Sequence, residues 1–191
     1  PFESSVHLLA KALDLPWESG YRDLFQVAES AKSRPALASR ALTMTEVKTF
    51  EDFLHRRILY EPIQYIVGQW DFLDYTLLIR PPLLCPRPET EELVELVVND
   101  LNERTAKLRI LDVGCGTGCI GIALCDKLPN ASVLAIDVDH VAVETANLNA
   151  EMILGDTRDR YTAKLVSVDD LRDKDFDLVV SNPPYIPEGD M

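Results

Sequence analysis

The chain has 191 residues, 47% of them hydrophobic and 27% charged, with a net charge of −13. These totals are ordinary for a soluble globular protein of one or two small domains, long enough to bury a sizeable core. The charge is uneven: residues 1–60 carry eight Lys/Arg against eight Asp/Glu, and residues 61–191 carry eleven against twenty-four, which argues against an autonomous grip on nucleic-acid phosphates.

No apolar run approaches the ~18 residues of a membrane span, and no secretory signal opens the chain. The first residue is Pro, so the expectation is that the true N-terminus, with any transit peptide, lies upstream. Cys85, Cys115, Cys119 and Cys125 contain no Cys-x-x-Cys pair and read as small buried thiols of a reducing compartment. His7, His55 and His140 lack metal-ligand spacing, and no metal site is expected.

Residues 1–60 read as helical. Ser4 or Ser5 can cap a helix carrying Val6, Leu9, Ala10 and Leu13, stopped near Pro16. Thr43-Met44-Thr45-Glu46 is a capping-box pattern. Val47, Phe50, Leu54 and Ile58 follow at helical spacing, the stripe of an amphipathic helix in a bundle core. Residues 64–72 and 75–79, aromatic and β-branched on either side of Leu73-Asp74, read as a hairpin. Pro81, Pro82, Pro86 and Pro88 then hold the chain extended as a stiff connector.

From Glu89 the elements alternate. A helix is predicted over 90–104, with Glu91 and Glu92 in its first turn, where the helix dipole favours acids. A strand over 108–113, a helix over 119–128 stopped by Pro129, a strand over 132–136 and a helix over 141–150 follow. Strands over 164–168 and 177–181 complete the series. Such alternation predicts an α/β fold, a parallel sheet with helices on its faces.

Asp112-Val113-Gly114-Cys115-Gly116-Thr117-Gly118 follows the first of these strands and opens a helix. Glycines at that spacing allow a tight turn and close approach of backbone to a ligand. Asp137 ends the next strand, where a carboxylate can accept both hydroxyls of a ribose. Together they point to a nucleoside cofactor. The spacing is G-x-G-x-G led by an acid, and the dinucleotide fingerprint is G-x-G-x-x-G. An acid at the strand tip is unhelpful beside phosphate and sensible beside a cation, such as the sulfonium and α-amino group of S-adenosylmethionine. The bland reading of Asp112 is a helix-capping or turn acid. Asp169-Asp170, after the third strand, is placed to meet the adenine amino group, or is a solvated turn.

Asn182-Pro183-Pro184-Tyr185 ends the last apolar run. By itself it could be a proline-rich turn. Chemically it offers an amide oxygen, a rigid backbone carbonyl and a flat ring, a set that suits a planar –NH2 group. The lone pair of such an amide or aryl amine is delocalised and feebly nucleophilic. Hydrogen bonds from its N–H groups to Asn182 Oδ1 and the Pro183 carbonyl would turn the lone pair toward a sulfonium methyl, and Tyr185 would stack on the plane. Ligands of open α/β sheets bind beyond the carboxyl ends of the strands, where both the glycine loop and Asn182 are expected.

Three segments narrow this further: Pro62-Ile63-Gln64-Tyr65-Ile66-Val67-Gly68 with Trp70 and Phe72; Pro86-Arg87-Pro88-Glu89-Thr90-Glu91; and Ser181-Asn182-Pro183-Pro184-Tyr185-Ile186. With the glycine loop, the chain resembles the protein-(glutamine) methyltransferases that modify peptide chain release factors, of the class I S-adenosylmethionine-dependent fold. The resemblance covers essentially all of residues 1–191. It implies a helical substrate-recognition domain (1–60), a β-hairpin and proline-rich connector (61–88) and a Rossmann-like methyltransferase domain (89–191). The implied substrate is the glutamine amide in the Gly-Gly-Gln loop of a class 1 release factor. Carried over by position, Asp112, Gly114, Gly116, Gly118, Asp137 and Asp169 would contact S-adenosyl-L-methionine. Asn182, Pro183, Pro184 and Tyr185 would hold the glutamine amide, and Arg87 and Glu89 would shape the pocket mouth or form a structural ion pair.

The resemblance also carries departures. Asp74 stands near where the family turns on glycine. The class I sheet runs 3-2-1-4-5-7-6, and this chain supplies four strands. A fragment or truncated isoform is therefore expected, with the last strand at an edge and its apolar face partly uncovered. Two rival functions remain: an adenine-specific nucleic-acid methyltransferase using the same clamp on a flipped base, and a non-catalytic truncated isoform acting as a binding module. The remaining expectations are a monomer with no direct nucleic-acid or membrane partner, mitochondrial if eukaryotic and otherwise cytoplasmic.

Overall fold

The computed structural model describes residues 2–15, 41–101 and 106–183. The chain divides into two compact units, Pro1–Gln69 and Trp70–Met191. Among the described residues, no helix is long and apolar enough to cross a membrane.

In the first unit, α1 (Phe2–Ala12), α2 (Met44–Ile58) and α3 (Ile63–Val67) pack on one another. The first helix starts at Phe2, ahead of Ser4 and Ser5, the expected starting positions, which lie within it. Leu8, Ala10 and Ala12 are buried along α1. The capping box on α2 forms as expected: Thr43 Oγ1 accepts from Glu46 N (3.2 Å) and Glu46 Oε2 from Thr43 N (2.7 Å). Val47, Phe50 and Leu54 are half-buried, but Ile58, in the last turn, is 72% exposed.

Residues 64–67, expected as the start of a strand, lie in the single helical turn of α3. Pro62 leads it at φ −55° and Gly68 ends it at φ 75°, its N–H donating to Gln64 O (2.9 Å). Proline ahead of a helix and glycine behind it are the usual punctuation. Here they overrule the β-branched composition.

The hairpin pairs β1 (Gln69–Phe72) with β2 (Tyr75–Leu78). Its turn places Leu73, not Asp74, in the left-handed region (φ 51°). An L side chain tolerates that poorly, and Leu73 N–H is held by Glu91 Oε1 at 2.9 Å. Glu91 lies on α4 (Pro88–Leu101), which starts at proline, as helices often do.

A four-stranded parallel sheet follows: β3 (Leu108–Val113), β4 (Ala131–Asp137), β5 (Tyr161–Leu165) and β6 (Leu178–Ser181), in spatial order β5-β4-β3-β6. The crossovers are α5 (Cys119–Lys127) between β3 and β4, and α6 (His140–Leu154) with a 3₁₀ turn (Gly155–Arg160) between β4 and β5. β5 starts three residues earlier than expected. The 3₁₀ turn delivers Tyr161 (0% exposed) to the helix-covered face, leaving Lys164 and Leu165 exposed.

Ile110, Val133, Ala135, Tyr161 and Val180 are buried on the face packed by α5 and α6. On the opposite face Arg109, Ser132, Thr162 and Val179 are exposed, while Leu111 and Ile136 are buried. Parallel sheets ordinarily bury both faces. Among the described residues this one is covered by helices on one face, with β6 at its edge as expected.

Candidate active site at the carboxyl ends of the strands

Parallel register brings the strand ends level. Val113 pairs with Ile136 on one side and Ser181 on the other, and Asp137 pairs with Leu165. The glycine loop leaves β3 directly. Gly114 N and Cys115 N both donate to Ile136 O (2.9 and 3.1 Å). Gly114, Gly116 and Gly118 are all left-handed, with φ of 69°, 54° and 82°. A Cβ at Gly114 or Gly116 would project into open space, whereas one at Gly118 would lie 2.8 Å from the buried Tyr161 Oη. The loop therefore presents bare backbone outward and sits tightly on Tyr161 beneath.

Asp137 clips this loop to the end of β4. Its Oδ2 accepts from Gly116 N and its Oδ1 from Asp139 N, both at 3.0 Å. Asp112 lies deeper, 1% exposed. Its Oδ2 accepts from Gly121 N at 3.0 Å, while its Oδ1 is buried with no hydrogen-bond partner. Burial pushes its pKa up to about 7, opposed by the Gly121 hydrogen bond and reinforced by the charge of Asp137. A Cβ on residue 121 would lie 2.8 Å from Asp112 Oδ2, so glycine in α5 is what admits the carboxyl.

Burial disfavours the thiolate form of both thiols beside the loop. Burial raises Cys115 strongly and pushes Cys119 up to about 12, so both are protonated at neutral pH. Among the described residues no group of His, Cys, Asp and Glu is arranged to hold a metal ion.

Sequence reasoning missed Asn149. It is fully buried in α6 and bridges two segments through backbone groups. Its Nδ2 donates to Thr117 O in the glycine loop (2.9 Å) and to Leu78 O (3.1 Å), and its Oδ1 accepts from Leu78 N (2.7 Å). One side chain thus ties the hairpin to the loop. Two asparagines, Asn147 and Asn149, among the alanines of a helix were the available signal.

Asn182 follows β6 at the same end of the sheet. Ser181 Oγ donates to Val113 O (2.8 Å), fastening the base of the expected clamp to the start of the glycine loop. Asn182 Nδ2 donates to Thr90 Oγ1 (3.1 Å), and Thr90 is buried at the start of α4. Pro183 is exposed, and Pro184 and Tyr185 lie outside the described residues. Asp169 is exposed in the turn beyond β5, while Asp170 is tied to Ser167 Oγ (2.8 Å). Arg87 and Glu89 are exposed, and no ion pair joins them among the described residues. Their neighbours Thr90 and Glu91 carry the tertiary contacts of that segment.

Strand order β5-β4-β3-β6 is the 3-2-1-4 part of the expected sheet, with an acid-led glycine loop after the first strand. Fold and site together define the class I S-adenosylmethionine-dependent methyltransferase type, a Rossmann-like α/β domain. Residues 90–190 match the methyltransferase small domain family, and the chain belongs to it.

The chain is 36% identical over 172 residues to the human MTRF1L release factor glutamine methyltransferase, covering 83% of this chain and 50% of that protein. It is 45% identical over 129 residues to the release factor glutamine methyltransferase of Flavobacterium psychrophilum, covering 66% of this chain and 44% of that protein. The resemblance read from the sequence is borne out, and the chain spans about half the length of the curated relatives it matches. Likeness to a solved tRNA (uracil-54, C5)-methyltransferase of Pyrococcus abyssi is partial (TM-score 0.49, 26% identity, 61% of this chain and 28% of that one). The strand order above, not that likeness, defines the fold.

Proposed function

We propose that this domain binds S-adenosylmethionine at the glycine loop and methylates a glutamine side-chain amide in the Gly-Gly-Gln loop of a class 1 release factor. The observation that carries the reading is the adjacency of β3 and β6. Asn182 directly follows Ser181, whose register partner Val113 directly precedes Gly114.

The residues present fit the cofactor. Gly114 and Gly116 leave open space where a side chain would stand. The unpartnered, buried Asp112 Oδ1 is a group that a nearby cation would ionise. The bound cofactor would supply an electrophilic methyl on a sulfonium. Asp112 acts from beneath the loop through its charge, Gly121 N–H steadying its other oxygen. Asp137 retains acceptor capacity beyond its two backbone partners, enough for ribose hydroxyls. Asp169, exposed beyond β5, is the acid proposed for the adenine amino group.

Asn182 Oδ1 and the Pro183 carbonyl accept the two N–H groups of the glutamine amide. They fix its plane and stabilise positive charge developing on nitrogen, so no strong base is needed before transfer. Pro184 and Tyr185 belong to the same proposed clamp, and Arg87 and Glu89 to its mouth. The remaining parts of the proposal are the 1–60, 61–88 and 89–191 domain roles, a monomeric state, and a site of action that is mitochondrial if the protein is eukaryotic and cytoplasmic otherwise.

The test is incubation of the protein with labelled S-adenosylmethionine and either a release factor or adenine-containing DNA. Label on the glutamine of the Gly-Gly-Gln loop, located by mass spectrometry, is expected. Label on DNA alone refutes the proposal.

A further inference from the structure

We infer that Thr90 is a positioning residue for transfer, setting the place and plane of the Asn182 amide through its hydroxyl; the inference rests on the clamp reading of Asn182 above. Thr90 stands on α4, 92 residues away in sequence, and its Oγ1 accepts a hydrogen bond from Asn182 Nδ2 at 3.1 Å. It is one of five buried polar residues among the described part of the chain, 7% exposed.

Its own placement is over-determined. Pro88 opens the helix, and Thr90 N–H closes the turn onto Arg87 O (2.9 Å). Val94, one turn on and on the same side of the helix, is fully buried. Glu91, the next residue, holds the hairpin turn through Leu73 N–H (2.9 Å). A β-branched side chain in a helix has few χ1 options, two for Thr, and burial of Thr90 narrows them further.

The consequence is chemical. An Asn amide has a donor end and an acceptor end of nearly the same shape. Accepting an N–H from a substrate amide requires that the oxygen, not the nitrogen, be turned to the reacting group. In this structure Nδ2 is the end engaged by Thr90, which makes the oxygen the end turned away from it. Ser181 Oγ, fastened to Val113 O (2.8 Å), fixes the backbone from which Asn182 projects. Backbone and side chain of the clamp are thus anchored separately, one to β3 and one to α4. That gives a physical role to the Pro86-to-Glu91 segment that Arg87 and Glu89, both exposed, do not supply.

The experiment compares Thr90→Val and Thr90→Ser with the unsubstituted protein. It measures glutamine methylation on a release factor and S-adenosylmethionine affinity by calorimetry. Valine keeps the shape and loses the hydroxyl, and serine keeps the hydroxyl. Misplacement of a reacting group by a fraction of an ångström to an ångström lowers rates by up to about 100-fold, so T90V is expected to lower kcat about 10- to 100-fold. Cofactor Kd should stay within about twofold, and T90S should recover most of the lost rate.

If T90V fails to fold, the kcat ratio of T90S to T90A carries the test, with about 10 expected. A valine variant with unchanged kcat, or a serine variant as slow as valine, overturns the inference while leaving the function standing. Absence of glutamine methylation by the unsubstituted protein overturns both.

Discussion

Replacing Asp112 by Asn removes a carboxyl that burial holds protonated up to about pH 7. In the unfolded chain this group ionises at its ordinary value of 3.8; in the folded chain it keeps its proton to about 7. Between those values the folded form binds more protons than the unfolded one, so stability falls as pH rises. The loss begins above 3.8 and is complete once the folded carboxyl has ionised near 7. Over the range from about pH 5 to about pH 8 the change is roughly 2.5 kcal/mol, at about 1.4 kcal/mol for each pH unit between the two values. Asn has no proton to exchange, and its amide oxygen can still accept from Gly121 N–H. The assay is urea or thermal unfolding of both proteins at the two pH values. The native protein should lose about 2.5 kcal/mol more than the Asn variant on going to the higher pH, about 5–10 °C in Tm for a chain of this size. Equal losses in the two proteins would refute the buried-carboxyl reasoning.

The remaining predictions test the site from other sides. S-adenosylmethionine affinity should rise with pH up to about 7 in the native protein and stay flat in Asp112→Asn, because a bound cation draws the proton off Asp112; calorimetry in two buffers of different ionisation heat reads the proton release directly. Asn182→Ala should cut methyl transfer by about 100-fold or more with cofactor affinity unchanged, and surviving turnover would sink the clamp mechanism. Gly121→Ala should destabilise by about 2–3 kcal/mol, since the methyl would lie 2.8 Å from Asp112 Oδ2 and 3.1 Å from both Tyr161 and Val133; a stabilised variant would show that helix propensity, about 1 kcal/mol here, outweighs the collision. Asn149→Ala strands Leu78 N–H and two carbonyls, so a loss of about 3 kcal/mol is expected in urea unfolding; a loss below about 1 kcal/mol would mean that water replaces the amide.

Much of the fold was legible because its signals are local. The capping box at Thr43 and Glu46 needs only four consecutive residues. The strand over residues 108–113 and the glycine turn after it were read at their observed positions, since an apolar run and left-handed glycines announce themselves. The misreadings are also local. Residues 64–67 carry a strand-like composition in a segment too short for periodicity to decide, and the flanking Pro62 and Gly68 decided it. The start of β5 was misplaced because the charged run before it hides a 3₁₀ turn. Asp112, Asp137 and Asn182 stand at the strand ends where the sequence placed them. The contacts of Thr90, Asn149 and Ser181 were not legible, because each is made to a residue far away in sequence.

By itself, then, the sequence determined the alternation of strands and helices, the acid-led glycine loop and the Asn-Pro-Pro-Tyr segment at the end of β6. Short-range sterics and hydrophobic patterning suffice for those features. That β6 lies beside β3 was already implied by the resemblance; only the tertiary structure decided that Ser181 then meets Val113 and that Asn182 reaches Thr90. It also decided that the Asp112 carboxyl turns under the loop toward Gly121. Hydrogen-bond partners and the dielectric around a carboxyl depend on which strands are neighbours, and that is a property of the packed sheet, not of any one segment.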